Sequence, residues 1–320
     1  MIYQSGYKTV AGYECMNASL LNYMKFCGKC ISSSDIYLSI EGSGVCVNNT
    51  LFFYESNVHL NGLFLKQNHI DYSYGHCKKN MEKFLEEHIL NNKMIAIVVK
   101  SKYLSYSRWF QHAGNSGHYV NVIGKKNNKF YISDGYVLNG EGRVFEGWLE
   151  SEQVLEAWKE KNYQYIVYNN DFGDLCEKSV IEKANKRLLE ILLPYCKSTG
   201  SMEDYLGFEV IKKIFFNVEI LLNDKEKCYN MIYGIVYNLR WGGFLTIKYF
   251  LIDKLNALNV NRIYIKKYEN IMQKWNAICM ALIKIGIKPD KKTYYKLLKM
   301  VEQVCKSEKE LLCDVYYNCL

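Results

Sequence analysis

The spacing of hydrophobic residues along the chain changes near residue 150. Before that point, short apolar runs of strand character are separated by Gly, Asn and Ser, and two stretches repeat apolar residues at helical spacing. The predicted strands are 50–54, 95–99, 119–123 and 130–133, and the predicted helices are 17–26 and 81–90. This pattern predicts a mixed α+β domain.

After residue 150, apolar residues recur three and four positions apart, with few strand-like runs. The predicted helices are 152–158, 180–193, 205–222, 228–239, 245–255, 268–285 and 292–305. The sequence therefore predicts two domains, an α+β domain over 1–150 and an all-helical domain over 151–320.

A loop that runs into a helix carries a cysteine at position 15. Leu20, Leu21 and Met24 are spaced to form the buried face of that helix, so Cys15 is predicted to lie at its N-terminus. Free backbone amides and the positive end of the helix dipole stabilise a thiolate, lower the thiol pKa and supply an oxyanion donor. Cys15 is thus a candidate nucleophile.

The segment 117–135 has the pattern of a β-hairpin, and its register tests whether a histidine and an aspartate meet. With the loop centred on Lys126, three pairs are predicted on one face: Val122 with Phe130, Val120 with Ile132, and His118 with Asp134. Asp134 would then hold one imidazole nitrogen while the other faces the Cys15 sulfur. A lone buried His is more often structural, so the hypothesis depends on this pairing together with the cysteine at the helix start.

Composition excludes several other classes of function. The 320 residues are 49% hydrophobic and 23% charged, as in soluble globular proteins. The sequence has neither a secretory signal pattern nor an apolar run long enough to span a membrane, so a cytoplasmic location is expected. The 12 cysteines are then expected to be mostly reduced. The net charge of +8 is shared by both halves and forms no tail, which argues against nucleic-acid binding.

Metal and nucleotide sites have no support in the sequence motifs. Cys27 and Cys30 form a single CxxC without a second pair at zinc spacing, and we interpret them as structural thiols. No Walker loop, GxGxxG or HExxH is present, so neither a metal nor a cofactor is expected.

At these residues the chain resembles the papain-like cysteine peptidases, in which a Cys opens a helix and a distant hairpin supplies His and then Asp or Asn. More specifically it is similar to the family of the butirosin-biosynthesis acyltransferase, which uses this fold for acyl transfer. The similarity is carried by the Cys15 helix, by 98–106 and by the hairpin from His118 to Asp134, with weaker similarity at 148–158 and 242–251.

The resemblance implies an amide-forming acyltransferase of natural-product biosynthesis with a Cys15–His118–Asp134 triad. It implies transfer of an acyl or peptidyl group from a carrier-protein thioester to Cys15 and then to an amine acceptor. Carrier proteins are usually acidic, so the positive net charge would assist their docking. Where papain-like enzymes have a glutamine oxyanion donor, this chain has Thr9, so Thr9 or Gln4 is the candidate donor.

Aromatic residues ahead of the histidine are candidates for an acyl pocket, namely Tyr103, Tyr106 and Trp109, although packing within a loop is the simpler interpretation. Two other functions stay open on the sequence alone. A cysteine peptidase or amidase would use the same triad and release the acyl group to water. A non-catalytic binding protein of the same fold is disfavoured, because all three triad residues are present.

Overall fold

In the computed structural model, residues 2–40, 46–47, 53–54, 57–112, 117–137, 144–169, 172–196, 208–241 and 244–320 are described. The chain divides into two units. Unit 1 comprises residues 1–40 and 57–181, and unit 2 comprises residues 41–56 and 182–320. Among the described residues, no helix combines the length and the apolar character that crossing a bilayer requires.

The elements are numbered in chain order. The strands are β1 (Ile2–Tyr3), β2 (Cys46–Val47), β3 (Phe53–Tyr54), β4 (Tyr72–His76), β5 (Met94–Lys100), β6 (Gly117–Lys126), β7 (Lys129–Asp134), β8 (Phe145–Glu150) and β9 (Gln164–Tyr168). The helices are α1 (Cys15–Phe26), α2 (Ser33–Leu38), α3 (Asn57–Gln67), α4 (Met81–Leu90), α5 (Arg108–His112), α6 (Ser151–Lys159), α7 (Glu177–Cys196), α8 (Phe208–Leu221), α9 (Lys225–Trp241), α10 (Phe244–Ala257), α11 (Arg262–Ile287) and α12 (Lys291–Cys319).

Unit 1 is built on an antiparallel sheet, which confirms the predicted α+β class. The strand order is β4-β9-β5-β6-β7-β8, and β1 pairs with β6. Because β9 inserts between β4 and β5, the chain beyond residue 150 completes this sheet. The predicted domain boundary at 150 therefore lies inside unit 1, and the division falls at residue 181 instead.

Alternation along the central strands gives the sheet two buried faces. One face, with Ala96, Val98 and Tyr119, packs with apolar residues of α1 such as Leu20 and Met24. The other face packs with residues of α4 and α6, and it comprises Ile95, Ile97, Val99, Val120, Val122, Phe130 and Ile132. Helices therefore cover both faces of the sheet, and the β5–β6 pair at its centre is almost entirely buried.

The register of the β6–β7 hairpin differs from the prediction. Lys126 pairs with Lys129 across a two-residue turn in which Asn127 has φ of 50°, and a bulge follows between Val122 and Gly124. The observed pairs include Lys125 with Phe130, Val122 with Ile132, and Asn121 with Ser133. The tight turn and the extra residue of the bulge together shift the register by two positions. An even shift keeps His118 and Asp134 on one face, where they meet diagonally rather than directly across the strands.

Unit 2 contains the rest of α7, the helices α8 to α12, and a short β2–β3 pair. Its interior holds an ion pair between Lys248 Nζ and Glu308 Oε1 at 2.8 Å, and both side chains are fully buried. Glu308 also accepts hydrogen bonds from the Tyr268 hydroxyl (2.9 Å) and the Trp275 indole (2.8 Å). Helices α10, α11 and α12 thus share a buried polar contact.

Candidate active site

Helix α1 begins at Cys15, as the sequence predicts. Glu14 is the N-cap, with extended backbone angles of φ −153° and ψ 144°. Its carboxylate accepts hydrogen bonds from the backbone amides of Met16 (2.9 Å) and Asn17 (2.7 Å). Two amides that are free at most helix starts therefore have an acceptor within the chain itself.

Close backbone contacts hold the loop before Cys15 against the end of β7. The Gly12 amide donates to the Gly135 carbonyl at 2.8 Å, and the Asn22 side chain bonds both the amide (2.6 Å) and the carbonyl (3.0 Å) of Val10. A Cβ atom on Gly12 would lie 2.6 Å from Ala18 Cβ, and one on Gly135 would lie 2.7 Å from the Val10 carbonyl oxygen. Both positions require glycine, and through them the cysteine loop contacts the residue after Asp134.

His118 and Asp134 form a buried pair at the ends of β6 and β7. His118 Nε2 lies 2.7 Å from Asp134 Oδ2, and the two residues are 4% and 1% exposed. Asp134 Oδ1 accepts the backbone amide of Tyr136 at 2.8 Å. A carboxylate at Nε2 favours the tautomer with the proton on that nitrogen, which leaves the Nδ1 lone pair as a base.

Tyr106 belongs to this pair rather than to an acyl pocket. Its hydroxyl donates to Asp134 Oδ2 at 2.6 Å, and its ring stacks on Phe145 with the ring centroids 3.8 Å apart. Burial and the neighbouring Asp134 raise the pKa of Tyr106 well above its usual value, so the phenol stays protonated and acts as a donor. Phe110 lies 4.6 Å from the His118 ring and packs beside the same pair.

The environment of the Cys15 sulfur differs from the expected thiolate site. The thiol donates to Glu14 Oε1 at 3.2 Å, and the Tyr119 backbone hydrogen-bonds to the sulfur. Burial, followed by the charge of Glu14, raises the pKa of Cys15 well above its usual value. The expectation of a lowered thiol pKa is therefore corrected, because burial disfavours the thiolate and the Glu14 carboxylate at the helix start opposes the helix dipole.

Buried polar contacts join the cysteine helix to the histidine strand. The Asn121 amide donates to the Ser19 carbonyl (3.0 Å) and to the Tyr7 hydroxyl (2.8 Å), and the Ser19 hydroxyl donates to Asn121 Oδ1. Ser19 is one helical turn after Cys15, and Asn121 is three residues after His118. Satisfied buried polar groups fix geometry, so these contacts set the position of α1 relative to β6.

The two candidate oxyanion donors lie elsewhere in unit 1. The Thr9 hydroxyl bonds the Ser133 hydroxyl (2.8 Å) and Glu146 Oε2 (2.6 Å). The Gln4 side chain donates to the Lys93 carbonyl at 3.3 Å, beside the end of β6 that is remote from His118. Neither contact brings a donor toward Cys15, so the role predicted for Thr9 and Gln4 is not supported by their positions.

The other two aromatic candidates are Tyr103 and Trp109. Tyr103 packs against the apolar cluster formed by the sheet with α4 and α6, and Lys102 Nζ lies 4.8 Å from the centre of its ring. The side chain of Trp109 lies outside the described residues. In the described ranges, no group of three His, Cys, Asp or Glu side chains is arranged to hold a metal ion.

Sequence reasoning missed Glu14, whose carboxylate accepts a hydrogen bond from the Cys15 thiol and adds to the effect of burial on its pKa. A signal was present, since an acidic residue directly before a helix start is positioned to accept the first free amides. It also missed the bond from Tyr106 to Asp134. No local pattern indicates that contact, because the two residues are 28 positions apart.

Comparison with known proteins adds little to this site. The structure is similar to a chain described as a C39-like peptidase from Bacillus anthracis, with a TM-score of 0.38 and 14% identity over 53% of this chain and 97% of that chain. No protein-family model matches the sequence. No curated protein matches it either.

Proposed function

We propose that this chain is a cysteine acyl-transfer enzyme of papain-like type, with Cys15 as nucleophile, His118 as base and Asp134 as the group that orients the base. The observation that carries the proposal is the buried hydrogen bond between His118 Nε2 and Asp134 Oδ2, at 2.7 Å. His118 directly precedes Tyr119, whose backbone contacts the Cys15 sulfur. A nucleophile, a base and an orienting carboxylate are the parts that such chemistry needs.

In the first step, the Cys15 thiol turns from Glu14 to His118 and gives its proton to Nδ1. The sulfur attacks the carbonyl carbon of an acyl thioester, and the tetrahedral intermediate collapses with loss of the donor thiol, which takes the proton back from His118. One thioester replaces another, so this exchange is close to neutral in free energy. Asp134 holds the imidazolium through Nε2 throughout.

In the second step, an amine attacks the acyl group on Cys15. His118 takes the amine proton and returns it to the Cys15 sulfur as the new amide leaves. This step is downhill, because an amide is more stable than a thioester. The enzyme must then favour the amine over water by positioning the amine and excluding solvent.

The substrate class is proposed from the sequence resemblance described above. We infer an acyl or peptidyl carrier protein as donor and a small amine as acceptor, in natural-product biosynthesis, with no cofactor. The positive net charge of +8 is suited to an acidic carrier partner. A cysteine peptidase or amidase is the competing proposal, since hydrolysis would use the same three residues.

Intact-mass spectrometry tests the proposal. Wild type and a Cys15→Ala variant are incubated with an acylated carrier protein or a short thioester, with and without amines. We expect an acyl adduct on wild type and none on the variant, with discharge to an amide when the amine is added. Cys30→Ala removes an exposed thiol instead and should acylate like wild type.

Other results would change the conclusion in defined ways. An adduct on Cys15 that only water discharges would indicate a hydrolase. An adduct that persists in the Cys15→Ala variant would exclude Cys15 as the nucleophile. If thioesters never acylate the protein but peptides are cleaved in a Cys15-dependent reaction, the peptidase proposal replaces the transferase.

A further inference from the structure

Two half-buried thiols meet within unit 2, far along the chain from Cys15. Cys196 is the last residue of α7, and Cys313 lies in the last part of α12. The Cys313 thiol donates to the Tyr195 carbonyl at 3.0 Å, and the Cys196 thiol donates to the Leu192 carbonyl at 3.3 Å. Both thiols therefore bind carbonyls of the last turn and a half of α7, and the Tyr195 carbonyl is one of the four that have no partner within the helix.

The two carbonyls place both sulfur atoms at the same end of α7. Residues 192 and 195 are three positions apart in a helix, so their carbonyls lie on one side of α7 and are separated by about 4.5 Å along its axis. The two side chains are close enough to interact electrostatically. The Tyr317 hydroxyl also donates to the Cys196 carbonyl at 3.4 Å, so a second residue of α12 holds the same end of α7.

We propose that Cys196 and Cys313 are a modification site that forms an intramolecular disulfide by exchange with small disulfides such as oxidised glutathione. In the first exchange, one thiolate attacks a glutathione sulfur, the glutathione S–S bond breaks, and one glutathione leaves as thiol. The second cysteine thiolate then displaces the bound glutathione and forms the Cys196–Cys313 bond. Two protein thiols are oxidised, and one oxidised glutathione is reduced to two thiols.

The cross-link would tie the C-terminal end of α7 to α12 and close a loop on the order of 100 residues. Loops of that length lose much chain entropy in the unfolded state, so the melting temperature should rise by about 5–10 °C. Burial and the adjacent Cys313 thiol raise the pKa of Cys196 to about 12, so its thiolate is scarce at neutral pH and the reaction should take hours. This inference does not depend on the proposed acyl transfer.

The test is peptide mapping of the full-length protein without reduction. The protein is incubated with oxidised glutathione at pH 8.5, blocked with N-ethylmaleimide and digested. We expect a linked peptide pair containing Cys196 and Cys313, and its loss in Cys313→Ser. Cys319→Ser removes another half-buried thiol of the same helix and should leave the linked pair intact.

Separate outcomes would overturn the inference. Stable glutathione adducts on Cys196 or Cys313 without a linked pair would show that the sulfur atoms cannot reach the ~2.05 Å of a disulfide bond. A link from Cys196 to Cys319 would show that Cys313 is not the partner of Cys196. A linked pair that leaves the melting temperature unchanged or lower would contradict the expected effect on stability.

Discussion

Replacing Glu14 by glutamine should lower the pKa of Cys15. The Glu14 carboxylate oxygen lies 3.2 Å from the sulfur, and its charge opposes ionisation of the thiol. At this separation, two unit charges repel by about 1 kcal/mol at the dielectric constant of water and about 5 kcal/mol at an effective dielectric constant of ~20. Both residues are half-buried, so a value toward the low end applies, and we expect the charge removal to stabilise the thiolate by about 1.4–2.7 kcal/mol, which lowers the pKa of Cys15.

The rate of alkylation reports this change. A stabilisation of about 1.4–2.7 kcal/mol raises the thiolate fraction at neutral pH about 10- to 100-fold. A less basic thiolate is also a weaker nucleophile, which cancels roughly half of this gain on a logarithmic scale. Iodoacetamide should thus modify Cys15 about 3- to 10-fold faster at pH 7.5 in Glu14→Gln than in wild type. Mass spectrometry of the Cys15 peptide across a pH series measures the rate, and the exposed Cys30 is an internal reference.

Glu14→Asp is the matched control, because it keeps the charge and a strong N-cap residue. Its pH profile should stay near that of wild type. If Glu14→Gln is folded, by circular dichroism and melting temperature, and its profile still overlays that of wild type, the charge of Glu14 does not govern the thiol. A rise in the pKa of Cys15 in Glu14→Gln would refute the electrostatic argument altogether.

Two further predictions concern buried polar groups. Tyr106→Phe removes the 2.6 Å hydrogen bond to Asp134 and should lower kcat, and it should lower the free energy of unfolding by about 1–3 kcal/mol. Tyr119→Phe is the control, because it removes a buried hydroxyl with no hydrogen-bond partner in the described structure and should not destabilise the fold. Equal decreases in the free energy of unfolding for Tyr106→Phe and Tyr119→Phe, measured in urea, would contradict this prediction. Lys248→Met should cost about 3–5 kcal/mol by leaving the buried Glu308 charge unpaired, and adding Glu308→Gln should recover part of that loss. If the Lys248→Met, Glu308→Gln double variant is less stable than Lys248→Met alone, the unpaired charge of Glu308 is not the cause of the loss.

The elements around the site could be predicted from the sequence where a single residue pattern decides them. The apolar run of β5 and the helical spacing after Cys15 are local signals, and both elements form as expected. β4 has the sequence YSYGH and lies mostly exposed, and β9 is a short Tyr-rich strand after the expected boundary. β4 carries no apolar alternation, and the β-type run 165–168 of β9 is a single short strand among helical spacings, so the limits of unit 1 could not be read from composition.

The register of the hairpin could not be predicted for a different reason. A turn of two residues and a bulge near Ile123 each move the pairing, and neither is encoded in the alternation of apolar and polar residues. Alternation fixes only which face a residue occupies. His118 and Asp134 therefore meet, as their shared face requires, although the individual pairs were predicted incorrectly.

A protonated Cys15 is compatible with acyl transfer, and it changes what His118 must do. Where a helix start lowers the thiol pKa, an ion pair exists before the substrate arrives, and the base contributes little to the attack. Here burial and the Glu14 charge favour the thiol, so in the proposed reaction His118 would remove the proton as the sulfur attacks. A thiolate that forms only at that moment is more basic and more nucleophilic than a permanently ionised one. The fixed contact between His118 and Asp134 then matters more, because a base that works during the attack must be aligned in advance.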